Sequence, residues 1–338
     1  DRVTNRLSNF ISLFANVTYS YKRKYILTYN VRAEGSNKFG QDKSARFLPI
    51  WSVSGRWNIQ EEEWLKDVMW LNMLSLKASY GIQGNVADDQ TPQLIMRYSD
   101  YDNVANRFPS VISKLPNPLL RWEKNTSYNL GIEASFFDNR IYLSAEYYRR
   151  VGKDQLINKS VSHTLGQTSI QTNAGTLINH GIDLMATFVP IRTKDWTWTI
   201  NANGSQNRNR VIDGGVNDDY TYVQFLNGTA IVNDKSIDTF YSYRFKGLND
   251  KGLPEFYNLE EGIKGLSKEE FYSKIFVESG QRVPFLQGGF GTSVRWKDLT
   301  LNLFFSYSVG NKVRLNNLYQ DSGQSTPQPW QNMNNELV

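Results

Sequence analysis

The sequence predicts an all-β chain, an antiparallel transmembrane β-barrel with about ten strands and long extracellular loops. Three observations predict it. Apolar and polar residues alternate with period two from end to end. The connections between the alternating segments are short and long by turns. Aromatic residues gather beside the short connections. Successive side chains of a strand point to opposite faces, so the alternation makes one apolar and one polar wall. Outer-membrane barrels join their strands by short periplasmic turns and longer extracellular loops. Aromatic rings prefer the headgroup level, which places them beside one set of turns. A soluble β-sandwich also wets one face and is the competing architecture, but its turns are more evenly spaced, about every 8–12 residues.

In the first strand Ile11, Leu13, Ala15, Val17, Tyr19 and Tyr21 share a face, opposite Ser12, Phe14, Asn16, Thr18 and Ser20. After the Lys22–Lys24 turn, Tyr25, Leu27, Tyr29, Val31 and Ala33 continue the apolar face. The same reading gives strands through Trp51–Trp57, Leu74–Ile82, Tyr128–Phe136, Ile141–Tyr147, Ile178–Ala186, Trp196–Ala202, Phe290–Trp296 and Leu299–Val309. Most are near the ~9–11 residues needed to cross a bilayer at a tilt. The short turns are Lys22–Lys24, Asp138–Arg140, Pro190–Lys194 and Lys297–Asp298, and Ile59–Leu71 reads as an acidic connection with a helical turn. The long connections are Asn85–Arg121, Val151–Thr172 and Arg210–Pro284. The polar faces carry Arg32, Glu34, Arg56, Lys77, Glu133, Glu146, Asp183 and Arg295, which are expected to line a wet lumen.

Composition narrows the classes. Apolar residues are 40% of the 338, and no apolar run is long enough for a transmembrane helix. Strands that cross a membrane need apolar residues on one face only, so the low mean hydropathy of -0.52 is compatible with a barrel. Cysteine is absent, which permits an oxidising envelope location. The net charge of +5 is interspersed rather than blocked, so no nucleic-acid face is expected. The chain starts Asp1-Arg2-Val3 without a signal peptide and reads as a mature fragment or internal piece.

Motifs that carry chemistry are missing. There is no His-Glu-x-x-His, no Cys-x-x-Cys, no phosphate-binding glycine loop and no Gly-x-Ser-x-Gly. His163 lies in a polar loop and His180 on the outward face of a strand, neither with a motif partner. Glu133 and Glu146 can be posed as an acid/base pair, but pairing with Arg or Lys in a lumen is the expected role. Asp213, Asn217, Asp218 and Asp219 are oxygen-rich, yet their spacing is not that of an EF-hand and a solvated loop is expected. No catalytic residue, metal or cofactor is therefore assigned, and the chain is not expected to be an enzyme. Contact with substrate or partner is assigned to ring-bearing residues of the loops: Tyr220, Tyr222, Phe225, Tyr241, Tyr243 and Trp122.

An ordered set of blocks resembles one family. It includes Asn117-Pro118-Leu119-Leu120-Arg121-Trp122-Glu123-Lys124, Asn129-Leu130-Gly131-Ile132-Glu133, Phe137-Asp138-Asn139-Arg140-Ile141 and Glu146-Tyr147-Tyr148-Arg149-Arg150. Leu76-Lys77-Ala78-Ser79-Tyr80-Gly81, Asn179-His180-Gly181-Ile182-Asp183, Phe240-Tyr241-Ser242-Tyr243 and Gly310-Asn311-Lys312-Val313 belong to the same set. Together they resemble the SusC/RagA-like TonB-dependent importers. The resemblance implies that residues 1–338 are part of a barrel of about 22 strands with a plugged lumen, residues 210–284 forming an extracellular excursion. The plug and the terminal strands of that family have no counterpart here. It also implies import of oligosaccharides or peptides across the outer membrane, a SusD-like surface lipoprotein as lid, and energy from a TonB–ExbB–ExbD complex acting on the plug. Outer-membrane lipid is the remaining partner and nucleic acid is not one. A surface binding or adhesion protein without transport is the alternative.

Overall fold

The computed structural model describes residues 9–36, 47–85, 93–117, 120–167, 169–214, 222–252, 254–257 and 275–314. Along the chain run β1 (Phe10–Tyr21), β2 (Tyr25–Ser36), β3 (Phe47–Asn58), β4 (Leu71–Asn85), β5 (Ile95–Tyr98), β6 (Ser110–Lys114), β7 (Glu123–Phe136), β8 (Ile141–Ser160), β9 (Ser169–Arg192) and β10 (Trp196–Asp213). A helix α1 (Tyr222–Asn227) follows, then β11 (Thr239–Tyr243), β12 (Phe245–Leu248), β13 (Pro254–Phe256), β14 (Phe276–Gln281), β15 (Leu286–Trp296) and β16 (Leu299–Val309). Ten strands make one sheet in the order β1-β2-β3-β4-β7-β8-β9-β10-β15-β16. Every pair in it is antiparallel. The sheet is open, with β1 and β16 at its edges. The remaining strands form the small pairs β5-β6, β11-β14 and β12-β13, all within long connections.

The register carries the alternation across the whole sheet. One row runs Tyr29, Val53, Tyr80 and Tyr128, and the polar row beside it runs Thr28, Ser54, Ser79 and Asn129. Leu27, Leu130, Leu143, Ile182 and Leu303 are all exposed on the apolar face, as lipid-facing residues must be. The turns at one end are short, apart from the Ile59–Leu71 connection. Lys22 and Arg23 both take positive φ, 50° and 57°, the geometry of a two-residue hairpin whose twist matches its strands. In the longer turn between Phe136 and Ile141, Phe137, Asp138 and Asn139 take positive φ at 54°, 56° and 59°, Asp and Asn being residue types that tolerate this conformation.

Two expectations about connections need correction. Val151–Thr172 is not a long loop, because β8 runs to Ser160 and β9 starts at Ser169. These strands, of 20 and 24 residues, continue as a hairpin beyond the ~9–11 residues that span a bilayer. The period-two pattern weakens above Val151 because no lipid demands an apolar face there. Likewise β9 runs through Pro190 to Arg192, so its turn is shifted towards Asp195. Ile59–Leu71 holds two 3-10 turns, Ile59–Glu61 and Glu63–Leu65.

Aromatic rings stack across strands at the short-turn end. Tyr25 and Trp57 stack at 6.3 Å, Trp70 and Phe136 at 5.9 Å, and Trp196 and Trp296 at 5.8 Å. Each pair closes a row beside a turn, which is where a membrane girdle belongs. Glu62 ties this end together. It accepts from Lys24 Nζ at 2.9 Å, Tyr25 Oη at 2.7 Å and Trp57 Nε1 at 3.1 Å. These donors hold its carboxyl down at about 2 and raise Lys24.

Candidate functional site

The eight charged residues expected to line the lumen do lie on one face of the sheet, the face opposite the exposed Leu and Ile rows. The register places Arg56 beside Lys77, Ser75 beside Glu133, and Glu146 beside Asp183. Glu133 is the centre of a small network. Lys77 Nζ pairs with its Oε1, Arg56 Nη2 lies 3.5 Å from Oε2, and Ser75 donates to Oε2 at 3.4 Å. Arg56 also donates to Asn58 Oδ1 at 2.8 Å. A groove of about 340 Å³ runs along this stretch between Arg56, Lys77, Asn129 and Glu146. Glu34 pairs with Arg32, Asp183 accepts from Ser205 at 2.5 Å, and Arg295 donates to Thr197 Oγ1 at 2.9 Å. Glu133 is therefore committed to two cations and a hydroxyl. That arrangement suits a fixed polar wall rather than proton transfer.

The wall changes character along the sheet. On β2, β3, β4 and β7 the charges Arg32, Glu34, Arg56, Lys77 and Glu133 are in ion pairs, whereas Glu146 and Asp183 lie side by side on β8 and β9. On β10 the inward residues are Thr197, Thr199, Asn201, Asn203, Ser205, Asn207 and Asn209, all neutral. Their neighbours on β15 and β16 include Gln287, Ser293, Asn302, Ser306 and Ser308. Among the described residues this half offers amide and hydroxyl groups, with Arg295 as the charged member of its inward rows.

Close packing across β15 depends on glycine. A Cβ on Gly288 would lie 2.1 Å from Asn203 O and 2.6 Å from Tyr307 Oη. Tyr307 crosses above this gap and donates to Asn203 O at 2.9 Å, tying β16 to β10 over the intervening strand. A groove of about 500 Å³ lies beside it, lined by Asn203, Ser205, Gln287 and Ser308.

The loop residues assigned to contacts fare differently. Phe225 and Tyr241 are 8% and 6% exposed, and with Ala230 and Phe276 they form a buried cluster, so they are packing residues. Tyr243 is half-buried against that cluster. Trp122 is buried as well. Tyr222 starts α1, and Tyr220 lies outside the described residues, as do Asn217, Asp218 and Asp219. His163 falls in the 3-10 turn His163–Leu165, and His180 is on the outward face of β9. No group of acidic, His or Cys residues that could hold a metal occurs among the described residues.

The cluster is the core of a small subdomain between β10 and β15. Phe225 stacks on Phe276 at 5.1 Å and meets Tyr241 edge-on at 5.3 Å. Burial, aided by the Glu278 carboxylate, pushes the Tyr241 hydroxyl up to about 12. The subdomain is fastened to β10 by Arg210 on Asp234 at 2.6 Å and Asn209 on Asp238 at 2.7 Å. Arg314 reaches from beyond β16 to Tyr241 O at 2.6 Å. The density of rings in the sequence could not separate core rings from surface ones. Its exposed apolar side chains include Phe245, Leu248 and Tyr257, on and beside β12 and β13.

The family model described as TonB dependent receptor-like, beta-barrel matches residues 2–332. The chain belongs to that family. TonB-dependent receptor P3 of Formosa agariphila is 28% identical over 330 residues, 90% of this chain and 32% of that protein. TonB-dependent receptor SusC of Bacteroides thetaiotaomicron is 32% identical over 229 residues, 64% of this chain and 22% of that protein. A solved structure of the RagAB peptide transporter superposes with a TM-score of 0.75 at 26% identity, covering 90% of this chain and 33% of the matched one. The SusC/RagA resemblance thus holds, and the ten-stranded sheet is a segment of an outer-membrane barrel. The chain spans about a third of the length of the curated receptor it matches over 90% of its residues. These relatives carry the names of receptors and transporters, not of enzymes.

Proposed function

We propose that this chain forms part of the wall of an active importer, which carries oligosaccharides or peptides across the outer membrane. TonB, acting through ExbB and ExbD, supplies the energy, and a SusD-like lipoprotein closes the outer mouth. The observation that carries this reading is the two-faced sheet itself. Its outward face is mostly apolar and carries aromatics at the short-turn end, while its inward face is mostly hydrophilic, with Phe14 and Phe304 as exceptions. A wall of this kind suits a wet path through lipid. The likeness to the RagAB peptide transporter and to SusC supports the same reading.

The subdomain between β10 and β15 supplies a rigid platform at the long-loop end, and loops carry binding when a scaffold positions them. Phe245, Leu248 and Tyr257 give it an exposed apolar surface suited to a protein lid. The test uses the full-length receptor in its native outer membrane. Phe245→Asp with Leu248→Asp should leave barrel assembly intact on unboiled gels and reduce recovery of the lipoprotein at least about ten-fold, as for a lost interface anchor. Uptake of oligosaccharide or peptide should stop when either the receptor or TonB is deleted. Unchanged uptake in both deletions would refute import.

A further inference from the structure

The outward face of the sheet carries a cluster that neither the lumen nor the aromatic girdle explains. Arg149 on β8 is the direct neighbour of His180 on β9, and His180 of Arg208 on β10. Directly opposed side chains lie about 5 Å apart at Cβ, so the three form one continuous basic row. They share the parity of Leu143, Ile182 and Ala202, with no register shift between, so they face lipid and not the lumen. From Thr126 to Phe136 on β7, from Ile141 to Val151 on β8, from Ile178 to Phe188 on β9 and from Ile200 to Arg210 on β10, the outward positions hold no carboxylate. Two other cations of this face have partners, Lys124 with Asp154 at 3.7 Å and Arg210 with Asp234 at 2.6 Å. Arg149 and Arg208 have no ion pair among the described residues. Both are exposed, and the Arg208 guanidinium rests over the Phe285 ring at 5.3 Å.

Height fixes what meets this row. Arg149 is eight residues along β8 from Ile141, and Arg208 twelve along β10 from Trp196. At about 3.3 Å per residue and a tilt of about 40°, the row climbs from about 20 to about 30 Å above the short-turn end. That interval brackets the outer edge of an apolar band about 25 Å tall. Unpaired arginines are costly in hydrocarbon, and their long stems let the guanidinium groups rise to the headgroup layer. The group that meets them there must be anionic. A guanidinium presents a planar fork of N–H donors suited to phosphate oxygens.

We infer that Arg149, His180 and Arg208 form a binding site for a phosphate group on the headgroup of an outer-leaflet glycolipid. The two arginines clamp the phosphate oxygens and His180 donates a further hydrogen bond between them. Phe285 holds Arg208 in place and offers its ring to the lipid's apolar part. The site lies on the outside of the wall, so it is independent of the path through the lumen and of the lid.

The test is binding of phosphorylated lipid A, in detergent micelles, to the purified full-length receptor, followed by native mass spectrometry. The expected result is binding at least about ten-fold tighter than that of dephosphorylated lipid A, with the preference lost in Arg149→Gln/Arg208→Gln. Charge reversal, Arg149→Glu/Arg208→Glu, should remove it as well. If the reversed protein does not assemble, judged by heat-modifiable migration, the neutral pair alone decides. Arg295→Gln, on the lumen face, should leave the preference intact. Equal binding of the two lipids, or an unchanged preference in the neutral pair, would overturn the site. So would displacement of the lipid by millimolar inorganic phosphate, which would indicate a general anion site rather than one built for a headgroup.

Discussion

The barrel wall and the subdomain between β10 and β15 use the same residue types for opposite purposes. In the wall Tyr25, Trp57, Trp196 and Trp296 are exposed on the outward face and stack in cross-strand pairs. In the subdomain Phe225, Tyr241 and Phe276 are buried against each other. The difference lies in the solvent. Lipid is as apolar as the rings, so the wall gains nothing by hiding them and places them at the headgroup level. Water surrounds the subdomain, and there burial of apolar area is the driving force. Counting rings identifies neither case, and only their spacing along the chain separates them.

The sharpest way to break this comparison is Phe225→Ala. A buried Phe truncated to Ala typically costs about 3–5 kcal/mol, more than a subdomain with so small a core can absorb. The subdomain should become sensitive to limited proteolysis while the barrel keeps its heat-modifiable migration. Loss of barrel assembly would mean the two regions fold as one. Deleting residues 214–231 would not make the same test, because it removes both Phe225 and Ala230 from the core.

This contrast also shows what was legible in the sequence. The sheet was legible because a strand with lipid on one side and water on the other writes its facing into every second residue. Ile132 and Glu133 needed no tertiary information to be placed on opposite faces. The network around Glu133 was partly legible, as Arg56, Lys77 and Glu133 share a parity, but their proximity depends on the order β3-β4-β7, which skips β5 and β6. The subdomain core was not legible. Phe225 and Phe276 are 51 positions apart (276 − 225), and no periodicity links them. Trp122 shows the same failure in a single residue, for it is buried although it lies just outside β7, where no alternation marks it. Of the row Arg149, His180 and Arg208, the alternation marks only His180 as outward, and register aligns the three.

The wall's facing is tested next, at a somewhat smaller effect. Ile132→Arg or Leu303→Arg, each four residues from a short-turn end of its strand, puts a charge near the middle of the apolar band. Each should cost roughly 2–4 kcal/mol, read as a lower urea midpoint for the folded barrel in lipid vesicles. Leu143 and Leu301 sit only two residues into their strands and should cost about 0–1 kcal/mol. Asn302→Arg, on the lumen face, should fall below the Leu303 variant. Equal costs at Asn302 and Leu303 would invert the assigned faces.

Within the lumen the charges should matter less than their number suggests. Glu133→Gln leaves Arg56 and Lys77 without their shared carboxylate, but these cations are 35% and 41% exposed. Solvent can take over, so the expected loss is under about 1 kcal/mol in the same urea series. A loss comparable to that of Leu303→Arg would mean that the wall is drier here than the sheet alone shows.

The smallest effect concerns the short-turn end, where Glu62 gathers Lys24, Tyr25 and Trp57. Its carboxyl is held at about 2, below its ordinary value of 4.5, chiefly by the hydrogen bonds from Tyr25, Lys24 and Trp57. A carboxyl with a depressed folded value stabilises the fold in full above its ordinary range and loses that contribution as pH falls towards the folded value. The knot should therefore be complete at pH 6, begin to weaken relative to the unfolded chain below about 4.5, and open near 2. The indole N–H resonance of Trp57 reports this directly, because that group donates to Glu62. It should titrate with a midpoint near 2 in the parent protein and show no such transition in Glu62→Gln. A midpoint near 4.5 would show that the three donors do not hold the carboxylate, and that the stacked Tyr25 and Trp57 rings close this end of the wall without it.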